Sequence, residues 1–565
     1  MVIFRSVVFA ALTTFCVFVQ PLGAQTSSPG GHVHYVEPQE QQTGAGPVAP
    51  RLQNLGTHTF TVSTRSRDAQ RFINQGVNLA YAFNHAEARR AFREAARLDP
   101  NLAMAYWGQA LVLGPNINAL MEPNEEPQAY ELVQKALSLK SRATAREQAY
   151  IDALAQRYSG AAADRASRDQ TYATAMRAVR NRYPQDLDAT MLYVESVMDL
   201  RPWGYWQGDG TPHEGIAEIV ALTEQVIAKN PRHPGALHMY VHLMESVAPE
   251  KAEKAADTLL TLMPAAGHMV HMPAHIYQRV GRYADAMRAN QLAIAADEDY
   301  IAQCRAQGLY PMAYYPHNIH FLWFSATFDG QSRIAIESAR SLAAKIDDEA
   351  LAALPLLAGF RMIPYYTLTR FGRWEEMLKE PEPPPNAVLR AVWHYARGLS
   401  LVATGRAEAA EAELVRLREL LADESMKQPL FSPNTAAAAL APAPEMLAGE
   451  IAAARGDFDS AIAYLSRAVR VEDSLVYTEP SEFHFPPRHA LGAILLEAGR
   501  SQEAETVYWE DLRRNRENGW ALFGLLQALR AQDKMDAAAL VEARFKQAWA
   551  RADVTLTGSR FGRPR

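Results

Sequence analysis

Seven histidines and one glutamate occupy three short stretches of this chain, at residues 238–245, 268–275 and 317–320. Within each stretch these side chains are spaced three, four or seven residues apart, which puts them on one face of a helix. They are His238, His242, Glu245, His268, His271, His275, His317 and His320. Because neutral imidazole is the commonest metal ligand in proteins, three such faces on neighbouring helices predict a metal site.

The ligand types narrow the choice of metal without deciding it. Imidazoles with one carboxylate suit copper or zinc, with iron less favoured, whereas calcium and magnesium prefer oxygen ligands. There are more histidines than one tetrahedral zinc ion can use, so either two ions bind or one histidine transfers protons. Glu245 is a candidate ligand or a catalytic general base. The methionines within these stretches are more typical of core packing than of copper(I) ligation.

The elements that position these side chains are indicated by a repeating pattern of small and aromatic residues. Its first occurrence comprises Gly76, Ala88, Phe92, Ala95 and Pro100. Small residues at such positions let two helices approach, an aromatic ring fills the gap, and proline ends the unit. The pattern recurs with Tyr277, Gly281, Ala286 and Ala293, with Gly449, Gly456, Ala461, Leu465 and Ala468, with Gly492, Gly499 and Ala504, and with Trp520, Phe523 and Gly524.

In these residues the chain resembles the tetratricopeptide repeat (TPR) family over most of its length, although Phe523 stands where the family pattern usually has leucine. The resemblance implies an all-α fold, a TPR-like α-solenoid in which roughly eight to eleven antiparallel helix pairs form a superhelix. We therefore expect one helical domain over residues 56–550 and a C-terminal tail over residues 551–565. The segment HMPAHIY resembles uncharacterised exported bacterial TPR proteins, from which no activity transfers.

The family resemblance also implies where the histidines lie. In TPR proteins the first helix of each pair lines the concave groove, and glycines such as Gly281 and Gly330 close that helix. Alignment on these glycines puts the histidines of residues 268–275 and 317–320 on the groove side. Residues 238–245 take the matching face of the preceding unit if the turn between its two helices is one residue shorter. Neighbouring helices pack about 8–10 Å apart, so imidazoles from adjacent first helices can share an ion.

A second set of polar residues is not required by the repeat pattern, and these residues are candidates for substrate binding. It comprises His85, Trp107, Asn116 and Asn118 in one part of the chain and Glu479, His484, Arg488 and His489 in another. Arg488 is also a candidate catalytic residue. Each of these residues could instead form a cap, a turn or aromatic packing. The acidic run that begins at Asp297 is predicted to be a solvated helix end.

The first residues predict export from the cytoplasm. Arg5 precedes an apolar run at residues 7–19, and small residues follow at 23–24, the pattern of a signal peptide cleaved near residue 25. Residues 26–55 are rich in Gly, Pro, Gln and Ser and predict a disordered leader. We therefore expect a periplasmic or secreted protein.

Charge and composition argue against several classes of function. A net charge of −6 over 565 residues is too small to favour nucleic acid or a membrane surface as a partner. No later stretch has the roughly 18 consecutive apolar residues of a membrane span. Cys304 would be the one cysteine left after cleavage, which excludes an intramolecular disulfide and is typical of a buried, inert thiol. No nucleophile elbow, P-loop or Rossmann glycine pattern has a suitable strand and helix around it.

Two functions of different classes remain open from the sequence. The first is an exported copper- or zinc-dependent enzyme, an oxidoreductase or a hydrolase, that holds a small-molecule substrate in the concave groove. The second is a TPR scaffold that binds a peptide or protein partner without metal and uses its histidines as polar or pH-responsive contacts. The sequence does not set the oligomeric state.

Overall fold

The computed structural model describes residues 46–161, 163–304, 310–430, 434–483 and 485–562. The predicted signal peptide and most of the predicted leader lie outside these ranges. The candidate substrate-binding residue His484 also lies outside them.

Two compact units make up the described residues. The first unit contains residues 46–276 and 289–318, and the second contains residues 277–288 and 319–562. Successive α-helices in both units pack as antiparallel pairs, and the described residues form no β-strand. The predicted all-α class is confirmed, and within each unit the helix pairs have the arrangement of a TPR-like α-solenoid.

Among its described residues the first unit contains eleven complete α-helices, and the histidine segments at residues 238–245 and 268–271 lie on two of them or at their ends. The eleven helices are α1 (Arg67–Tyr81), α2 (His85–Leu98), α3 (Ala103–Leu111), α4 (Glu126–Leu139), α5 (Ala145–Leu154), α6 (Arg165–Arg182), α7 (Leu187–Asp199), α8 (Ile216–Lys229), α9 (Pro234–Met244), α10 (Pro249–Leu259) and α11 (Gly267–His271). Three further helices belong partly to each unit. They are α12 (Pro273–Val280), α13 (Tyr283–Cys304) and α14 (Tyr315–Phe328).

The second unit continues the series of helices. They are α15 (Ser332–Ala344), α16 (Asp348–Ala353), α17 (Ala358–Arg361), α18 (Ile363–Arg370), α19 (Trp374–Met377), α20 (Ala387–Ala403), α21 (Ala407–Leu421), α22 (Ala436–Leu440), α23 (Pro442–Ala454), α24 (Phe458–Asp473), α25 (Pro487–Glu497), α26 (Ser501–Arg514), α27 (Gly519–Arg530) and α28 (Met535–Ala548). Over the part of the chain that the structure describes, no helix is both long and apolar enough to cross a membrane.

Phe92 of α2 shows how helix pairs pack in the first unit. Its ring lies against Gly76 of α1 and Gly108 of α3, where an added Cβ atom would come within 2.6 Å and 2.5 Å of ring carbons. A larger residue at either glycine would overpack this contact, by about 1–3 kcal/mol. The ring of a second helix therefore fills the gap between two successive first helices, as the repeat pattern predicts.

The second unit repeats this arrangement with a different ring. Tyr508 of α26 lies between Gly492 of α25 and Gly524 of α27, where an added Cβ atom would come within 2.4 Å and 2.2 Å of ring carbons. Both units therefore use the same combination of one aromatic ring and two flanking glycines. This shared packing explains why the repeat is visible in widely separated parts of the sequence.

Residues 46–55 differ from the disordered leader that their composition predicts. The side chain of Gln75 in α1 accepts the backbone N–H of Leu52 at 3.0 Å, and Glu94 in α2 accepts that of Val48 at 2.9 Å. These helix side chains satisfy backbone groups of the leader, a long-range interaction that composition does not reveal.

The described part of the predicted C-terminal tail, residues 551–562, packs onto the second unit. Arg551 pairs with Asp329 at 2.6 Å. The carboxylate of Asp553 accepts the backbone N–H of Ser332 at 2.7 Å and so caps the start of α15. Polar contacts therefore hold this segment against the turn between α14 and α15.

Candidate metal centre

Six histidines of the first unit converge in two groups of three, which we call triad one and triad two. Triad one is His238, His242 and His268, and triad two is His271, His275 and His317. In each triad, one ligand nitrogen from every ring lies within 4.8 Å of the other two. An ion with metal–nitrogen distances of 2.0–2.1 Å holds its nitrogens about 3.3–3.6 Å apart, so modest adjustment would suit each triad to an ion.

Pro273 divides one histidine segment between two helices. Because proline has no backbone N–H, α11 ends at His271 and α12 begins at Pro273. The sequence predicts that His268, His271 and His275 lie in one row on one face. In the structure His268 joins triad one, whereas the other two join triad two. A single segment therefore contributes ligand-type side chains to both triads.

A backbone contact orients the first ring of triad one. Nδ1 of His238 lies 2.6 Å from the carbonyl oxygen of Tyr81, so this nitrogen carries the hydrogen and donates it. The lone pair of His238 is then on Nε2, which lies 3.1 Å from Nε2 of His242. A contact outside the triad thus sets the tautomer and turns a lone pair inward, as metal ligation requires.

His268 completes triad one. Its ring centroid lies 4.9 Å from that of His238 and 6.3 Å from that of His242. The side chain is buried, and neither of its ring nitrogens has a hydrogen-bond partner among the described residues. An unsatisfied buried polar group costs about 1–3 kcal/mol, and native structures contain few of them. This arrangement is typical of a residue that serves as a ligand.

Side-chain acceptors orient two rings of triad two. Nδ1 of His271 lies 2.7 Å from Oδ1 of Asn290, and Nδ1 of His275 lies 2.7 Å from Oε2 of Glu245. The Nε2 atoms of these two histidines face each other at 2.8 Å. With hydrogens on both Nδ1 atoms, two lone pairs meet, and a shared ion or proton would make that contact favourable. The ring of His317 lies 4.8 Å from that of His271.

Glu245 contacts one histidine of each triad from the outside. Its Oε1 lies 3.5 Å from Nδ1 of His242, and its Oε2 lies 2.7 Å from Nδ1 of His275. A carboxylate on Nδ1 orients an imidazole and raises the basicity of its Nε2. These contacts favour an orienting role for Glu245 over the predicted roles of ligand or general base.

Burial keeps the triad imidazoles in the form that binds metal. Desolvation lowers the pKa of His238, His268 and His271 well below 6.5, and the neighbouring rings lower it further. Desolvation also lowers the pKa of His242. Although burial raises the pKa of Glu245, its histidine neighbours hold that pKa well below its usual range. Neutral imidazoles beside an ionised outer carboxylate are the protonation states that a metal site needs.

Phe83 packs against triad one from an unusual backbone conformation. It has a φ of 55° in the turn after α1, where the equivalent turns after α12 and α14 have Gly281 and Gly330. Its ring centroid lies 4.5 Å from that of His238 and 5.5 Å from that of His268. A bulky residue in this left-handed region costs about 1–3 kcal/mol, and such strain clusters at functional sites.

A cavity adjoins triad one, and Phe83 and Tyr314 are among the residues that line it. The ring of Tyr314 lies 4.8 Å from that of His268, so two residues that line the cavity also contact the triad. His85 and Asn116 also line the cavity, with Nε2 of the former 3.4 Å from Nδ2 of the latter. Two predicted substrate-binding residues therefore lie beside triad one.

The other two candidates in this region have structural contacts. The backbone N–H of Asn118 donates to Oδ1 of Asn116 at 2.8 Å within a tight turn. Trp107 is buried and stacks on Phe60 with ring centroids 5.6 Å apart, and its edge meets Tyr150. These are the turn and packing contacts that the sequence leaves open as an alternative to substrate binding.

A buried carboxyl group holds α11 in position. Asp297, predicted to be solvated, is fully buried and accepts hydrogen bonds from Tyr310 at 2.9 Å and Asn318 at 2.7 Å. The hydroxyl of Tyr310 in turn accepts the backbone N–H of His268 at 3.0 Å. A Cβ atom on Gly267 would lie 1.8 Å from the carboxyl oxygen, so glycine is required there. The prediction fails because these distant donors make burial of the carboxyl group favourable.

Sequence reasoning missed three residues that shape the site, namely Phe83, Asn290 and Asp297. Phe83 could have been noticed because a bulky residue stands at a turn where later repeats have glycine. Asn290 and Asp297 lie on α13 at i and i+7, a spacing that puts two polar residues on one buried face. That signal is visible once the helix is recognised.

His320, predicted to be the seventh histidine ligand, lies in the second unit. Its ring stacks on Trp323 with centroids 5.1 Å apart and lies 5.4 Å from Phe360. Burial lowers its pKa to about 3. The two triads are complete without His320, and its role as a ligand stays a prediction.

The remaining predicted residues of the second unit have polar partners. Arg488 makes two hydrogen bonds to Asp473, at 2.8 Å and 2.7 Å. Nε2 of His489 lies 2.9 Å from the carboxylate of Asp511. Glu479 accepts a hydrogen bond at 2.7 Å from the tyrosine hydroxyl two residues before it. Their predicted catalytic or substrate-binding roles stay predictions.

His58, Asp188 and His233 form a third group whose ligand atoms lie within 4.8 Å of one another. Oδ1 of Asp188 lies 2.9 Å from Nε2 of His58 and 3.3 Å from Nε2 of His233, and it accepts the Tyr81 hydroxyl at 2.8 Å. Nδ1 of His233 accepts the backbone N–H of Ala236 at 3.2 Å. When the His233 ring carries one hydrogen, that hydrogen is therefore on Nε2, so this ring turns no lone pair toward Asp188.

Among known proteins, solved structures with a similar fold are similar to this chain only at low sequence identity. No protein-family model matches the chain, and no curated protein matches it. Two solved structures of the human IFIT1 dimer, with PPP-AAAA and with m7Gppp-AAAA, are each 11% identical, with TM-scores of 0.30 and 0.29. They align over 86% of this chain and over 92% and 91% of theirs.

A third solved structure is that of the P58(IPK) TPR domain. It is 10% identical, with a TM-score of 0.22, over 83% of this chain and 99% of that one. At TM-scores this low, the helix pairs described above define the fold, and the likenesses carry nothing about function.

Proposed function

We propose that this protein binds transition-metal ions, copper or zinc, in the two histidine triads. We further propose that it is a metal-dependent enzyme acting on a small molecule held in the cavity beside triad one. Five of the six imidazoles are buried, and contacts at the Nδ1 atoms of His238, His271 and His275 leave their Nε2 lone pairs for an ion. The sequence supplies the ligand types, and this geometry supports their use.

The observation that carries the proposal is His268. Both of its ring nitrogens are buried without a hydrogen-bond partner among the described residues, beside two other histidines with which it shares a 4.8 Å cluster. A structural histidine would satisfy at least one nitrogen, because an unsatisfied nitrogen destabilises the fold. A bound ion supplies the missing partner and so accounts for this residue.

The cavity supports an enzymatic role over simple metal storage. It is lined by aromatic and polar groups, and two of its lining residues, Phe83 and Tyr314, also contact His268 of triad one. A metal there would polarise a bound substrate, activate water or exchange electrons, depending on whether it is zinc or copper. The reaction is therefore that of a hydrolase or an oxidoreductase.

A TPR scaffold that binds a peptide or protein without metal is the competing function. A peptide contact requires accessible histidines, whereas five of the six triad imidazoles are buried. We also propose that the protein is exported, as its predicted signal peptide indicates. Amino-terminal sequencing of the mature protein would test the cleavage near residue 25.

Elemental analysis of protein purified without a histidine tag tests the proposal. We expect copper or zinc in the wild-type protein and a loss of metal in His268→Ala. His394→Ala is the matched control, because Nδ1 of this histidine pairs with Glu413 at 2.6 Å outside both triads. Wild-type protein that binds no transition metal after exposure to copper and zinc salts would favour the scaffold.

A further inference from the structure

We propose that the centre holds two copper(I) ions, one in each triad. This inference rests on the proposed function and goes further in two respects, the number of ions and their charge. It follows from how the six imidazoles are divided and from the charges that surround them.

The division of the histidines indicates two ions. Each triad brings three ligand nitrogens within 4.8 Å of one another, which is close to the span of a single three-coordinate ion. Among the described residues, the ligand nitrogens fall into these two sets of three, and neither set takes an imidazole from the other. One ion reaches nitrogens about 2 Å away, so each set suits an ion of its own. Two separate ions therefore use all six imidazoles.

The surroundings of the triads favour monovalent ions. Imidazole nitrogen suits both copper and zinc, so the ligand type alone does not choose between them. All six ligands are neutral when they bind, and burial limits compensation by water. The repulsion between two ions scales with the product of their charges, so it is fourfold larger for two dications than for two monovalent ions at the same separation.

The position of Glu245 supports the same conclusion. Within the first unit this carboxylate lies on the Nδ1 side of His242 and His275, so it offsets charge from outside and is not a bridging ligand. Two zinc dications at such a distance would need an added anion, such as hydroxide, between them. Two copper(I) ions need less compensation, and a three-coordinate site of neutral nitrogens then suffices.

The aromatic residues around triad one fit a reduced metal. Phe83 stacks on His268 with ring centroids 5.5 Å apart, and the edge of Tyr314 meets the same ring at 4.8 Å. These rings keep bulk water from the triad, which disfavours the more strongly hydrated dication. The ring of His317, by contrast, is only partly buried, so triad two is the more accessible of the two sites.

Anaerobic titration of the full-length protein with copper(I) tests the proposal. The metal is supplied from a chromogenic copper(I) chelator, which reports the amount transferred to the protein. We expect two equivalents per chain, and X-ray absorption should show copper(I) with three nitrogen neighbours. In a parallel titration with zinc and a zinc indicator, the protein should take up fewer than two equivalents at the same competitor strength.

Single substitutions assign the two ions to the triads. His268→Ala and His271→Ala should each lower the copper(I) stoichiometry from two to one, and His394→Ala should leave it at two. Circular dichroism and thermal unfolding identify a variant that fails to fold, and for such a variant His268→Gln or His271→Gln replaces alanine.

The outcomes separate this inference from the proposed function. Tight binding of two zinc ions, or a single ion lost from both variants alike, would overturn the two-copper inference and leave the metal site intact. Binding of neither metal would overturn the proposed function itself.

Discussion

The two triads and the His58–Asp188–His233 group each bring three ligand atoms within 4.8 Å of one another, yet the ring hydrogens of His238 and His233 point in opposite directions. In the triads, Nδ1 of His238 donates outward to the carbonyl of Tyr81, which leaves an inward lone pair. In the third group, Nδ1 of His233 accepts a backbone N–H, which leaves a hydrogen on Nε2 facing Asp188. The first arrangement turns a lone pair toward the other histidines, whereas the second turns an N–H toward a carboxylate.

The comparison teaches that the neighbours of a histidine decide its chemistry. Groups of three ligand-type side chains within 4.8 Å occur in both regions, so proximity does not distinguish them. What differs is the atom that meets Nδ1 of His238 and Nδ1 of His233. An acceptor at Nδ1 leaves a lone pair on Nε2 for a metal, whereas a donor at Nδ1 leaves a hydrogen there. This criterion can be applied to any helical histidine cluster.

The largest expected effect is a contrast between His238→Ala and His58→Ala. The first removes an inward lone pair and should abolish metal binding at triad one, whereas the second should leave the metal content unchanged. Elemental analysis after dialysis against a weak chelator measures both. Loss of metal from His58→Ala would show that the direction of the ring hydrogens does not separate the two regions.

Replacement of the outer carboxylate should have the next largest effect. Glu245→Gln keeps the size of the side chain but removes its charge, and loss of such an outer partner typically weakens metal affinity by about 10–100-fold. The matched control is Glu413→Gln, because this carboxylate lies 2.6 Å from Nδ1 of His394 outside the triads. Competition titration should detect the change in the first variant alone. Equal affinities in Glu245→Gln and the wild type would remove this residue from the site.

In the metal-free protein, the triad histidines should lower the free energy of unfolding at a higher pH than Asp188 of the third group does. Burial lowers the pKa of His238 and His271 in the folded state, so below pH 6.5 the unfolded chain binds more protons. Proton uptake by each of these histidines in the unfolded chain should therefore lower the free energy of unfolding by up to about 2 kcal/mol at pH 5. In the third group the histidine contacts lower the pKa of Asp188, whose stabilising effect is lost only below its ordinary value of 3.8.

Urea unfolding of chelator-treated protein at pH 7.5 and pH 5 measures this difference. Asp297 acts in the opposite direction, because burial raises its pKa to about 7 and its stabilising effect grows as the pH falls. The informative quantity is therefore the pH dependence of wild type minus that of His238→Ala. An identical pH dependence in the two proteins would show that this ring does not stay neutral through burial.

The smallest expected effect concerns the strained turn. Phe83→Ala removes a ring that packs against triad one and relaxes little of the backbone strain, so we expect a modest loss of stability, about 1–3 kcal/mol. The metal of triad one should be removed faster by a chelator, while that of triad two provides an internal control. Stopped-flow measurement of chelator-bound metal resolves the two phases. Unchanged rates in both phases would deny Phe83 a shielding role.

The sequence predicted the helical repeat and the ligand-type residues but not their grouping. Phe92 between Gly76 and Gly108 follows from a local pattern, which is why the all-α fold was predictable. The break at Pro273 was visible in the sequence, yet its effect on His268 depends on where the next helices lie. Helical periodicity describes one element at a time, whereas a triad is assembled from several.

The outer contacts were harder to predict because they connect distant residues. The carbonyl of Tyr81 and the carboxamide of Asn290 orient imidazoles that lie far away in the chain. A backbone carbonyl leaves no mark in the sequence, and one asparagine on a helix is unremarkable. These contacts become apparent only when the helix pairs are placed side by side.

The contact between His238 and Tyr81 joins residues 157 positions apart, and it bears on when the proposed metal would bind. The Tyr81 carbonyl orients His238 only after α1 and α9 have docked, so the proposed ion would bind this arrangement after that docking and would not guide earlier steps of folding. Since the rings are buried, the ion would leave only when this part of the unit opens. Its residence time is then governed by the rate of that opening more than by the strength of the metal–nitrogen bonds.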